Sequence, residues 1–153
     1  MGPAQLSPII DARRGRADAA SHNERAQTML TSRRTIAMLP VTSLERAREF
    51  YERRIGLTPQ ETLPDGKVLY NSGGTLLALF PRESPTKAEH TVISFEVDDV
   101  EGAVKSLSDK GVVFEEYDSP TFKTVNKVCV LGSEKAAWFK DTEGNVLCIH
   151  QTI

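Results

Sequence analysis

Cys148 and His150, with His90, carry the side chains of this chain best suited to bind a metal ion. Residues two apart on a strand point to one face, so Cys148 and His150 are predicted to share a face, and a thiolate with two imidazoles is a reasonable zinc site. In the alternative, His90 lies in a linker, His150 ends a strand at the surface and Cys148 is a small buried hydrophobe. We favour this alternative because no fourth ligand is evident and the spacing matches no known zinc pattern.

Two other polar side chains are candidates for acid–base or nucleophilic chemistry. Glu96 is the one carboxylate on the predicted inward face of its strand, where it would serve as a general base. The alternative, which we favour, is that Glu96 is solvated at the strand end or paired with a neighbour. Ser94 has no neighbouring base in the sequence and no nucleophile-elbow motif, so we interpret it as a hydrogen-bonding group.

An internal repeat determines which elements must position these side chains. The segment from Thr35 to Leu57 is written again from Thr91 to Val112, with identical residues at several aligned positions. A repeat of this length is a supersecondary unit used twice, so two similar halves with a cleft between them are expected. The identical pairs are Thr35 with Thr91, Val41 with Val97, Glu45 with Glu101 and Ala47 with Ala103.

Hydrophobic periodicity predicts a strand, a helix and three further strands in each half. The first strand is expected at residues 36–41 and the first helix at about residues 44–54. Both helices should begin with a capping box, Thr42 with Glu45 and Asp98 with Glu101. The later strands are expected at residues 57–63, 67–71 and 75–80, and then at residues 112–117, 136–140 and 145–151, while residues 125–131 form an extra strand or a lid segment.

Strand parity divides the side chains between the core and the cleft. The larger apolar set of the two first strands should lie beneath the helices, which leaves Ile36, Met38, Val92, Ser94 and Glu96 facing inward. The strands that carry Tyr70, Trp138 and Phe139 should border the cleft. Because Trp138 and Phe139 are adjacent, one belongs to the core and the other can form an aromatic wall for a planar or amphipathic ligand.

Composition excludes several classes of function. The 153 residues, 39% hydrophobic and 26% charged, are typical of one globular domain, and residues 1–33 read as a flexible N-terminal arm. A net charge of −2 without a basic stripe argues against nucleic acid, and no apolar run is long enough for a membrane. The two cysteines form no disulfide framework or CxxC pair, so a cytoplasmic location is predicted.

The helix phrase LPVTSLERAREFYERRIGL and the terminal phrase WFKDTEGNVLCIH resemble the vicinal oxygen chelate superfamily, which includes glyoxalase I, bleomycin-resistance, fosfomycin-resistance and extradiol-dioxygenase proteins. The resemblance covers residues 35–151. It implies an α+β fold in which two βαβββ modules form a cupped eight-stranded mixed sheet with the helices outside, and it implies a homodimer. The single domain would span residues 34–153, with module 1 at about 34–81, a linker at 82–90 and module 2 at about 91–153.

The resemblance also implies where a metal would bind. Metalloenzymes of this superfamily take their ligands from four equivalent positions, which in this chain hold Ile36, Ala78, Val92 and Cys148. Three of these side chains have no donor atom for a divalent ion. We therefore predict no metal and no other cofactor, and a largely apolar cup that binds its ligand through buried area.

These observations predict a metal-independent protein that binds a small planar or amphipathic molecule and is not an enzyme. The first alternative is a glyoxalase-like lyase or isomerase, or a dioxygenase-related enzyme, that uses Glu96, or Cys148 with His150, as an unconventional site. The second is a cup filled by its own side chains in a protein that acts through its dimer surface. The predicted ligand-binding residues are Ile36, Met38, Tyr70, Ala78, Val92, Ser94, Glu96, Trp138, Cys148 and His150.

Overall fold

The computed structural model describes residues 30–153. Thr35–Ile153 form one compact unit, and the other unit, Met1–Arg34, is described only from residue 30 onward. The expected N-terminal arm at residues 1–33 therefore lies almost entirely outside the described residues.

The unit from Thr35 to Ile153 contains the two βαβββ modules expected from the repeat. The first module consists of β1 (Ile36–Val41), helix α1 (Leu44–Arg48) continued by a π-helical segment (Glu49–Ile55), β2 (Pro59–Thr62), β3 (Val68–Ser72) and β4 (Thr75–Pro81). The second consists of β5 (Thr91–Glu96), α2 (Val100–Asp109), β6 (Cys129–Leu131), β7 (Glu134–Lys140) and β8 (Val146–Thr152).

The eight strands divide between two four-stranded mixed sheets, in the orders β1-β4-β3-β2 and β5-β8-β7-β6. In each sheet the first strand pairs in parallel with the last strand of its module, and the other pairs are antiparallel. The predicted α+β class and its two modules are confirmed. Within the described chain, β1 and β5 each lie at an edge of their own sheet.

The sixth strand lies further along the chain than predicted. Residues 112–117 form only a bridge between Phe114 and Phe139, and β6 comes from the segment that the sequence left unplaced. The prediction was wrong because Val112 and Phe114 are buried while Val113 is 79% exposed, an alternation typical of a strand. Their backbone makes too few ladder hydrogen bonds to form one.

The N-cap of each helix lies one residue later than predicted, although the first helix begins at Leu44 as expected. Ser43 Oγ accepts a hydrogen bond of 3.4 Å from the Arg46 amide, and Asp99 Oδ1 accepts one of 3.0 Å from the Gly102 amide. Thr42, the expected first cap, instead turns its amide and hydroxyl toward Glu143, on the other module. Each helix therefore still has a side-chain oxygen at its N-cap that accepts a backbone hydrogen bond. Thr42 does not cap the first helix and instead contacts Glu143 of the other module.

A group of polar residues, of which Tyr51, Asp141 and Glu143 are buried, joins the two modules. Glu143, whose side chain is fully buried, accepts hydrogen bonds from the Thr42 amide at 2.6 Å, from Thr42 Oγ1 at 2.7 Å and from Arg46 Nε at 2.9 Å. Tyr51 donates its hydroxyl to Asp141 Oδ2 at 2.7 Å. We call these five residues the inter-module latch, and they fix one module against the other beside the shared apolar core.

Candidate functional site

Each sheet packs one face against the helices and core, and we call the opposite side its open face. On the first sheet, β1 pairs with β4 so that Met38 is opposite Ala78, and Ile36 lies two residues before Met38. Ile36 and Met38 are 42% and 47% exposed, whereas Ala78 is buried between its neighbours. The open face of the first sheet is therefore apolar and partly exposed.

The open face of the second sheet is more polar and carries most of the predicted candidates. Strand pairing places Ser94, Cys148 and Trp138 in one row across β5, β8 and β7. Glu96 and His150 form the adjacent pair. These five predicted site residues therefore share one surface.

Two predicted site residues lie elsewhere. A bulge between Thr91 and Ile93 shifts the parity of β5, and Val92 packs against the core instead of facing the cleft. Tyr70 is fully buried on the helix side, where its hydroxyl donates to Glu52 Oε1 at 2.9 Å. Burial, followed by the contact with Glu52, raises the pKa of Tyr70. The alternation of side chains along a strand could not reveal the bulge at Val92. It also does not show which face of an inner strand packs against the helices, so Tyr70 was placed on the wrong face.

Ser94 has a base beside it, contrary to the sequence-based interpretation. Its Oγ lies 2.6 Å from Nδ1 of His150, and Nε2 of the same ring lies 3.8 Å from Glu134 Oε1. The residues are far apart in sequence, so only the parallel pairing of β5 with β8 brings them together. Burial raises the pKa of the neighbouring Cys148 thiol, and the contact with Ser94 offsets this in part. Cys148 is therefore a neutral thiol near pH 7.

Three aromatic rings pack edge to face beside this pair. Trp138 lies 5.9 Å from Tyr117 and 5.0 Å from Phe122 between ring centroids, and Tyr117 lies 4.9 Å from Phe122. Trp138 Nε1 donates to Thr91 Oγ1 at 3.1 Å. Phe139 is fully buried while Trp138 is half-buried, so Phe139 is the core member of this adjacent pair, and Trp138 is the residue that could form an aromatic wall. The sequence analysis missed Tyr117 and Phe122 because it assigned Tyr117 to a strand that does not form, and because Phe122 lies in irregular chain.

A cavity of about 550 Å³ lies along the free edge of β5. Four consecutive β5 residues, from Ile93 to Glu96, line it together with His150. The facing wall comes from the first module and was not predicted, because it depends on how the modules sit together. Its residues are Ala37, Ser72, Gly73, Thr75 and Leu77.

The donor set of this surface does not fit a divalent metal ion. Ile36 and Ala78 present hydrocarbon and Val92 packs into the core, so Cys148 is the one donor among these four positions. Within residues 30–153, no three His, Cys, Asp or Glu side chains come together in a way that would hold a metal. His90 and Glu96 are both exposed, and Glu96 ends its strand.

Comparison with known proteins identifies the class. The profile of the Glyoxalase/Bleomycin resistance protein/Dioxygenase superfamily matches residues 33–149, and the chain belongs to this superfamily. No curated protein matches the chain. No helix in residues 30–153 is long and apolar enough to cross a membrane.

Solved structures of diverse function share the fold. The fosfomycin resistance protein FosX from Listeria monocytogenes is 14% identical with a TM-score of 0.61, over 78% of this chain and 92% of that one. Lactoylglutathione lyase from Agrobacterium tumefaciens is 20% identical with a TM-score of 0.57, over 78% of this chain and 93% of the lyase. TnmS3, an antibiotic-binding protein from Streptomyces sp. CB03234, is 21% identical with a TM-score of 0.54, over 79% of this chain and 96% of TnmS3. At these identities the likeness concerns the fold alone.

Proposed function

We propose that this protein binds a small planar or amphipathic molecule, without a metal ion, on the open face of the second sheet. The observation that carries the proposal is the aromatic group of Trp138, Tyr117 and Phe122 beside the hydrogen-bonded Ser94 and His150. Aromatic rings supply contact area to a planar ligand, and a few polar groups fix its orientation. The antibiotic-binding relative TnmS3 supports binding as a function of this fold.

The glyoxalase-like alternative has less support. It requires a carboxylate or thiolate positioned to remove a proton or hold a metal. Glu96 is exposed at the end of its strand, and burial keeps the Cys148 thiol protonated. We therefore place binding ahead of this chemistry.

Replacing Trp138 by alanine tests the proposed binding surface. With 8-anilinonaphthalene-1-sulfonate as the planar amphipathic probe, we expect the dissociation constant measured by fluorescence titration to rise about tenfold, since an aromatic contact contributes about 0.5–1.5 kcal/mol beyond its buried area. Val113→Ala, at a 79% exposed position after α2, is the control and should bind as the wild type does. Equal affinity of Trp138→Ala and wild type would reject this surface as the site.

We also propose that the protein is a homodimer that covers the open face of the first sheet. Ile36 and Met38 expose large apolar side chains next to each other on one surface, and such patches mark contact sites. Met38→Glu should therefore shift the mass measured by light scattering from that of a dimer to that of a 16.9 kDa monomer, because the partner would have to bury the new charge. Val113→Glu adds the same charge at an exposed position and should remain dimeric. A wild-type monomer, or a dimeric Met38→Glu variant, would contradict the proposed interface.

A cytoplasmic location and one functional domain at residues 34–153 complete the proposal. Cys129 and Cys148 are both free and buried, as is typical of a reducing compartment.

A further inference from the structure

Ser94 and His150, which the proposed function uses only as polar contacts for a ligand, also have the geometry of a nucleophile and its base. The hydroxyl oxygen lies 2.6 Å from Nδ1, within the distance at which an imidazole removes a hydroxyl proton. The tautomer with its proton on Nε2 leaves the Nδ1 lone pair free for this contact. Glu134 is 3.8 Å from Nε2, too far for a direct hydrogen bond, so Ser94 and His150 form a dyad without a third member.

The backbone beside Ser94 supplies a donor for negative charge on a reacting oxygen. The Val97 amide donates to His150 O at 2.8 Å, so amides at alternate positions of β5 point toward β8. The amides of Ser94 and Glu96 therefore point to the opposite edge, with which no strand of the described chain pairs. The cavity of about 550 Å³ runs along this edge, so a substrate there meets both the hydroxyl and free amides.

We propose that this dyad hydrolyses small aryl esters, with Ser94 as the nucleophile and His150 as the general base. Ser94 Oγ adds to the ester carbonyl carbon while its proton passes to His150 Nδ1. The carbon–oxygen bond to the phenol then breaks, and the phenol leaves with the proton from His150. Water attacks the acyl-serine as His150 takes one of its protons, the acid is released, and the Ser94 hydroxyl is restored.

The aryl group follows from the surroundings of the dyad. Ser94 pairs with Cys148, which pairs with Trp138, so the aromatic wall lies on the same face as the nucleophile. The neighbouring thiol is not a competing nucleophile, because burial raises its pKa. This activity goes beyond the proposed binding function, since a binding protein needs no acyl intermediate.

A serine-directed fluorophosphonate tests the dyad. Attack by Ser94 forms an oxygen–phosphorus bond and breaks the phosphorus–fluorine bond, with the proton and fluoride leaving together. Mass spectrometry of the full-length protein and its peptides should locate one adduct at Ser94. The second-order labelling rate should fall at least about 100-fold in His150→Gln and His150→Asn, because a positioned base contributes on the order of 100-fold or more. Ser94→Ala should lose the adduct.

Ser106→Ala, at an exposed serine of α2, is the matched control and should label as the wild type does. Thermal melting shows which of the two His150 variants are folded. Only folded variants are compared with the wild type. The proposal is overturned if the wild type carries no adduct at Ser94, or if labelling falls less than about tenfold in both folded variants. Binding of 8-anilinonaphthalene-1-sulfonate by wild type and by Trp138→Ala separates the two proposals, because the tenfold loss of affinity expected for Trp138→Ala does not depend on whether Ser94 of the wild type carries an adduct.

Discussion

Phe139→Ala is expected to lower the free energy of unfolding by about 3–5 kcal/mol, a large part of the total stability of a single domain. The Phe139 side chain is fully buried, and its ring centroid lies 5.2 Å from Phe114 and 6.4 Å from Phe50 of the first module. Removing the ring leaves a cavity where the two modules meet. Chemical denaturation, followed by circular dichroism, measures the loss from the shift in midpoint.

Phe122→Ala makes the same chemical change at a half-buried ring and serves as the control. It should cost less than half as much, because water already reaches the Phe122 side chain. Equal losses for the two variants would show that Phe139 does not carry the contact between modules.

Glu143→Gln is expected to lower the free energy of unfolding by about 2–4 kcal/mol at pH 7, since hydrogen bonds to a charged group contribute about 1.5–3 kcal/mol each. The carboxylate accepts from the Thr42 amide, the Thr42 hydroxyl and Arg46, and a neutral amide satisfies these donors poorly. The ion pair with Arg46 adds little on its own, because the Arg46 side chain is 52% exposed. Glu116→Gln, at an exposed carboxylate, should stay within about 0.5 kcal/mol of wild type.

The effect of Glu143→Gln should depend on pH. Burial alone would raise the pKa of Glu143, but hydrogen bonds from Thr42, Arg46 and Ser43 outweigh it and hold the pKa below its ordinary value of 4.5. The stabilisation is therefore fully present above that ordinary value and is lost as the pH falls through the lower folded pKa. Denaturation curves from pH 7 down to acid should show the wild type converging on Glu143→Gln. A constant difference across this range would contradict the role assigned to the latch.

The modules were predictable because the apolar pattern is local and is written twice. β1 has the predicted bounds, Ile36–Val41, and the glycine at the end of the first helical segment, Gly56, has the left-handed φ of 88° that a helix C-cap favours. β6 was not predictable, since three residues at a sheet edge leave almost no periodic signal. The cap of the first helix shifted by one residue because Thr42 has a partner in the other module, which no local rule can reveal.

The site was only partly predictable for a related reason. Strand parity placed Ser94, Cys148 and His150 on one face, but it failed at Val92, where the bulge adds one residue to the count. His150, the base beside Ser94, lies 56 residues further along the chain on another strand. Contacts between modules depend on packing that periodicity does not encode, so the wall of Ala37 and Leu77 on the cavity was missed.

Metal content is the most direct test of metal-free binding by this member of the superfamily. Protein produced in medium supplemented with zinc, nickel, manganese and iron, and purified without chelators, should contain far less than one transition-metal ion per chain by elemental analysis, because three of the four metal positions hold hydrocarbon side chains and Cys148 alone cannot hold a divalent ion. One tightly held ion per chain, retained through gel filtration and coordinated at this cleft, would contradict the account.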